Sequence, residues 1–142
     1  MWWYNGKKVK SHADLHEDCT DFVYVMYFTD KCGKEYKYIG KKTVRSMRRI
    51  KPTKAQLAIR KNYVRKEVKD LPFVKYEGSS KETEGYTLTA KEILHQCSTK
   101  KAATYIEAAL LFEEHAIFSD EYLNKNISGR FYDNDLEGLI DD

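Results

Sequence analysis

The chain has 142 residues with 42% hydrophobic and 13% aromatic side chains, enough for one domain with a buried core and too apolar for a disordered segment despite 33% charge. No run of about 18 apolar residues occurs, which excludes a membrane-spanning helix. The three cysteines, Cys19, Cys32 and Cys97, are odd in number and far apart, which excludes a disulfide framework and a CxxC metal or redox motif. The start of the chain also lacks the apolar stretch and small-residue cleavage site of a signal peptide, so the expectation is a soluble, reduced, cytoplasmic protein.

The net charge of +3 hides a strong segregation. Residues 31–75 carry 16 Lys or Arg against three acids (Glu35, Glu67, Asp70), a local net of +13, and the rest of the chain carries −10. Such a field suits a polyanion, and the interleaved Tyr36, Tyr38, Tyr63, Phe73 and Tyr76 can pack or stack near nucleotides. Nucleic acid is therefore the leading partner, and the acidic C-terminal region argues against a membrane surface.

In chain order, residues 1–20 read as a polar N-terminal arm. Residues 21–29, DFVYVMYFT, are dense in β-branched and aromatic residues and predict a strand. A turn at 30–34, with Gly33 free to take positive φ, leads into the return strand EYKYIGKKTV. Pro52-Thr53 predicts a helix start, and the helix is expected to run from about 54 to 69 with Leu57, Tyr63 or Val64, and Val68 on one side. Asp70-Leu71-Pro72 ends it. After a short apolar piece and the loop EGSSKETEG, residues 86–97 are the third strand candidate, although KEIL could also belong to a helix. Ser98-Thr99 caps a helix over about 100–118, whose middle, YIEAALLF, is apolar almost all round and expected to be buried. The fold class is α/β (α+β), with a small three-stranded, largely antiparallel sheet flanked by helices. The domain is expected over 21–132, and an acidic tail over 133–142.

Two tyrosines, Tyr24 in the first strand and Tyr38 in the second, can share one face of the hairpin. Arg48 follows Tyr38 by ten residues, flanked by Arg45 and Arg49, and Glu107 is the lone carboxylate inside the apolar helical window. Surrounded by Tyr105, Ile106, Leu110, Leu111 and Phe112, an ionised Glu107 is costly to bury unless a divalent cation or an arginine partners it.

With Tyr38-Ile39-Gly40 intact and followed by Lys41-Lys42, then YEGSSKE, KEILHQCSTK, YIEAALLFE and YLNKNISGRF, the chain resembles the GIY-YIG nucleases, in particular small homing-endonuclease-like proteins of phages. The resemblance spans roughly residues 21–132. The first signature triplet is degenerate, since Phe22-Val23-Tyr24 keeps only its tyrosine. The resemblance implies catalytic roles for Tyr24, Tyr38, Lys41, Arg48, Glu107 and Asn124, with Arg45 or Arg49 as alternatives to Arg48, Glu113 or Glu114 to Glu107, and Asn126 to Asn124. It implies a metal-dependent DNA endonuclease with Mg²⁺ (or Mn²⁺) on Glu107, which polarises the scissile phosphate. Arg48 would hold non-bridging oxygens, Tyr38 would orient water or phosphate, and Tyr24, its pKa lowered by Lys41 and the metal, would help deprotonate the attacking water.

Lys42, Arg45, Arg49, Lys54, Arg60, Lys61 and Arg65 are the expected DNA-binding residues of the basic strip. RNA stays open as the substrate, as does a homodimer. A catalytically silent nucleic-acid-binding module on the same fold is the alternative. His12 and His16 near Cys19 are a weak zinc signal within a polar segment, and Gly78-Ser79-Ser80 lacks the Lys-Thr of a phosphate loop.

Overall fold

A computed structural model describes residues 1–62, 65–138 and 140. The centre of the fold is the run DFVYVMYFT, now strand β3 (Asp21–Thr29), nearly every residue of which is buried because the sheet is covered on both faces. Its hairpin partner is β4 (Glu35–Thr43), and the register sets Tyr24 opposite Gly40 and Met26 opposite Tyr38. Gly33 takes φ +83° in the connecting turn, where the Asp30 carboxylate accepts from the backbone N–H groups of Cys32 and Lys34, both at 2.9 Å.

The expected three-stranded sheet is larger. Strands β1 (Trp2–Tyr4) and β2 (Lys7–Val9) extend it, and with β7 (Thr87–Cys97) the order is β2-β1-β7-β3-β4. Only the β1–β7 pairing is parallel. The first nine residues are thus built into the sheet by β1 and β2, and residues 1–20 do not form a polar arm. The reason is Trp2, fully buried, with its indole N–H donating to the Phe73 carbonyl at 3.0 Å and its ring edge-on to Phe22 and Tyr24.

The helix expected over 54–69 is present only as α1 (Lys54–Ile59), capped as anticipated by Thr53, whose hydroxyl accepts from the Gln56 N–H. Residues after it form a strand, β6 (Arg65–Asp70), paired antiparallel with β5 (Arg45–Ile50) in a separate two-stranded ribbon. Leu57 and Val68 are 40% and 55% exposed, so no protein face exists for the apolar side of a longer helix, and pairing with β5 satisfies the backbone instead. Tyr63 and Val64, on which that expectation also relied, lie outside the described residues, as do Leu139 and Asp141–Asp142 of the acidic tail.

Helix α2 (Lys100–Glu113) starts at Thr99 as the sequence predicts. It lies on one face of the sheet, so YIEAALLF is not buried all round: Tyr105 and Phe112 are 74% and 51% exposed. Its inner stripe runs Ala103, Ile106, Glu107, Leu110, Leu111 at helical spacing, and its apolar members pack on Val23, Val25 and Ile39. The chain ends with β8 (Asn126–Ile127), β9 (Phe131–Tyr132) and a 3₁₀ turn at Asp135–Gly138. Among the described residues no helix is long and apolar enough to cross a membrane.

Candidate functional site

The end strand β4 carries side chains to both faces of the sheet, and the two faces meet where Gly40 leaves room. Tyr24 and Tyr38 belong to the aromatic layer on one face, whereas Lys41 reaches the α2 side, where its ammonium donates to Thr104 Oγ1. Glu107, one turn beyond Thr104 and midway between buried Ala103 and Leu111, enters from the same side. Tyr24, Tyr38, Gly40, Lys41 and Glu107 line one cleft of about 250 Å³, closed on its far side by Tyr76, Ser79 and Ser80 of the loop after β6.

Gly40 is needed for space, since its backbone is not in the left-handed region. A Cβ there would overlap the Tyr24 Oη and Cζ and lie 3.1 Å from Cε1. The tyrosine ring thus lies across the glycine of the opposing strand. A bulge at Leu94 of β7, between the Val23 and Tyr24 partners, bends the sheet at this point. Tyr24 is also boxed by Phe22 and Tyr76, each 6.2 Å away between ring centroids. Phe22, standing where the signature has glycine, fills the core against Trp2 and Phe73 and takes no part in lining the cleft.

Burial pushes the Tyr24 phenol far above its ordinary range, and its hydrogen bond to Tyr76 and the Glu107 charge push the same way. With no metal bound, the surroundings therefore raise the phenol and it keeps its proton. Tyr38 is likewise raised by burial, opposed by its hydrogen bond with Ser80. Burial raises the Glu107 carboxyl as well, opposed by the Lys41 ammonium. A half-buried carboxylate whose charge is only partly offset is a fit ligand for a divalent cation. Among the described residues no three His, Cys, Asp or Glu side chains cluster around a common point, so such an ion would take Glu107, water and substrate oxygen.

The other expected residues lie elsewhere. Asn124 is buried, and its side-chain amide pairs with the backbone of Ile39 in both directions, accepting at 3.0 Å and donating at 2.9 Å. It extends the edge pairing begun by Lys37 with the 121–123 segment, and so fixes β4 directly before Gly40. Asn126 bonds Glu82, and Glu113 and Glu114 are exposed past the cleft. Arg48 is on the β5–β6 ribbon, its side chain 76% exposed and 3.9 Å from Glu67, and is not among the cleft residues. Arg49, Lys54, Arg60, Lys61 and Arg65 are exposed along the same excursion.

Arg45 differs from them. Its guanidinium donates to the carbonyls of His12, His16, Glu17 and Cys19 and pairs with Asp70, so it clamps the N-terminal segment to the ribbon base. Lys42 lies over the Tyr76 ring at 4.3 Å. His12 Nε2 sits between the Val44 and Leu71 carbonyls at 3.0 and 2.8 Å, a structural role that leaves no zinc pair with His16.

Sequence reasoning missed Tyr76, Ser79 and Ser80 as cleft residues. Their signals were the aromatic Tyr76 in the basic block and the YEGSSKE piece of the resemblance, whose Gly78 takes φ +96°. A fourth element holds that loop: the buried Lys91 ammonium donates to the Val74 and Tyr76 carbonyls at 3.0 and 2.8 Å.

A family model described as "Putative endonuclease segE, GIY-YIG domain" matches residues 2–127. No curated protein and no solved structure matches the chain.

Proposed function

The chain belongs to the GIY-YIG endonuclease family, a family of nuclease domains that act on nucleic acid, and on that premise we propose that it is a metal-dependent DNA endonuclease with Tyr24, Tyr38, Lys41 and Glu107 as its reacting cluster. A phage-encoded, homing-endonuclease-like origin is part of this reading. The observation that carries it is the convergence, on one cleft, of four residues drawn from β3, β4 and α2.

Glu107 is the residue that would hold Mg²⁺ or Mn²⁺, which when bound supplies Lewis acidity toward phosphate oxygen. The chain's own groups bind and orient. The protonated phenols of Tyr24 and Tyr38 donate hydrogen bonds to non-bridging oxygens or to the attacking water. The Lys41 ammonium, tethered by Thr104, adds positive charge where negative charge builds on the phosphorane. Asn124 acts through β4, and Tyr76 through Tyr24. Arg48, Arg49, Lys54, Arg60, Lys61 and Arg65 hold the nucleic-acid backbone away from the cleft, joined near it by Lys42. Cutting both strands from one such cleft calls for sequential nicking or a homodimer.

The test is incubation of supercoiled plasmid with Mg²⁺, with Glu107→Gln and an EDTA control alongside. Nicking by the wild type that both controls abolish supports the reading, and cutting that survives in Glu107→Gln contradicts it. The catalytically silent binder is the second reading, favoured by the absence of an arginine from the residues that line the cleft. It predicts salt-sensitive binding with no cutting.

A further inference from the structure

We propose that the arm formed by β5, α1 and β6 is a recognition ribbon that enters the major groove of the duplex. This rests on the nuclease reading above.

The arm stands apart from the sheet that holds the cleft. Among the described residues its strands pair with each other and with no other strand, and no residue of α1 is buried. Its base, in contrast, is held firmly. Val44 is fully buried, its N–H donates to Thr20 and its carbonyl accepts from Leu71, while the Arg45 clamp locks the first ribbon residue to the N-terminal segment. A rigid base with an uncovered body presents the arm to something outside the molecule.

Charge says what that is. Residues 45–70 carry ten Lys or Arg against Glu67 and Asp70 alone. Those two acids pair with Arg48 and Arg45, and among the described residues no other ion pair forms within the arm. The cross-strand register groups Arg48, Arg65 and Lys69 on one ribbon face and sets Met47 beside Val68 on the other. Met47 and Val68, though 53% and 55% exposed, line a recess with Glu17, Asp18 and Thr20 of the body and share their face with Arg49, so this face turns toward the domain, while Ile59 at the end of α1 is 87% exposed. The face with Arg48, Arg65 and Lys69 is exposed, and a two-stranded ribbon carrying cations along one such face fits a phosphate-walled groove whose floor presents guanine N7 and O6 acceptors.

Dimensions choose the groove. Strands of this length span about 20 Å and lie about 4.8 Å apart, so the pair with its side chains fits a B-form major groove about 12 Å wide. The major groove of A-form RNA is too narrow to admit it, and a single strand offers no groove.

The experiment measures binding in EDTA to a duplex DNA, the same sequence as duplex RNA, and one DNA strand alone. The wild type is compared with a variant carrying Arg48→Gln, Arg49→Gln and Arg65→Gln, whose unchanged thermal midpoint certifies the fold. The wild type is expected to prefer duplex DNA. The variant should bind it about tenfold or more weakly, with the slope of log K against log salt shallower by about 2 to 3. Methylation at guanine N7 should interfere with wild-type binding, and methylation at adenine N3 should not.

Equal binding of duplex DNA by the variant, equal affinity of the wild type for duplex RNA, or interference at adenine N3 would each overturn the proposal. If the wild type still cuts plasmid in that case, the ribbon alone is wrong. A wild type that neither binds nor cuts removes the nuclease reading and the ribbon together.

Discussion

Gly40→Ala places the demand of the site on one atom. The added Cβ overlaps the Tyr24 hydroxyl end, and Tyr24, only 2% exposed, is held by Trp2 at 5.3 Å and by Phe22 and Tyr76 at 6.2 Å between ring centroids, so the ring cannot yield without disturbing the aromatic layer. Overpacking of this kind costs about 1–3 kcal/mol. Urea unfolding measures it. Because the closest overlap is with the hydroxyl, Tyr24→Phe should relieve part of the cost, and the double-mutant cycle should show a coupling of about 1 kcal/mol. Plasmid nicking should fall with the displaced phenol. A Gly40→Ala protein within about 0.5 kcal/mol of the wild type and additive with Tyr24→Phe would refute the reasoning.

Asn124→Ala strands the Ile39 N–H and C=O at a buried edge and should lower unfolding free energy by about 2–4 kcal/mol in urea, with activity lost through β4. Arg45→Met removes the clamp on residues 12–19; that segment should become open to limited proteolysis and to amide exchange while the cleft's ring contacts persist in NMR spectra. Glu107 has a pKa raised by burial, so the folded protein holds this proton more tightly than the unfolded chain does. Metal-free wild type should therefore lose stability relative to Glu107→Gln as pH climbs from the ordinary carboxyl range through the raised value, and the difference should vanish in more acid solution. Thermal midpoints across pH read this directly, and a Glu107→Gln protein less stable than wild type at neutral pH would count against it.

The parts of the fold legible in the sequence were those where local chemistry and tertiary packing agree. Thr53 and Thr99 cap the helices that follow them, and DFVYVMYFT and its return strand pair in the register that a hairpin around Gly33 requires. The family signature led to the cleft because Tyr24 and Gly40 are cross-strand neighbours and Glu107 lies on the covered stripe of α2. What stayed hidden depends on distant partners. Trp2 looks like the start of a polar arm until β7 and Phe73 are there to bury it. Residues 65–70 carry one apolar side chain in six, which suits either a solvated helix or an outlying ribbon, and only pairing with β5 decides. Spacing from Tyr38 could not place Arg48, because the chain leaves the sheet at Val44 and the arginine leaves with it. Tyr76 is marked in the sequence only as an aromatic of the basic block; its place beside Tyr24 depends on Lys91, on another strand, which holds its carbonyl.

On this reading hydrolysis happens in the cleft between β4 and α2, and the ribbon only binds. Single-turnover cleavage of plasmid with saturating enzyme and Mg²⁺, run for wild type, Glu107→Gln and Arg48→Gln, separates the two. The account predicts that Glu107→Gln loses the cleavage step by about a thousandfold or more, the scale of a removed catalytic group, while Arg48→Gln cuts at the wild-type rate once saturated. A saturated Arg48→Gln enzyme that cannot cut, beside a Glu107→Gln enzyme that can, would contradict it.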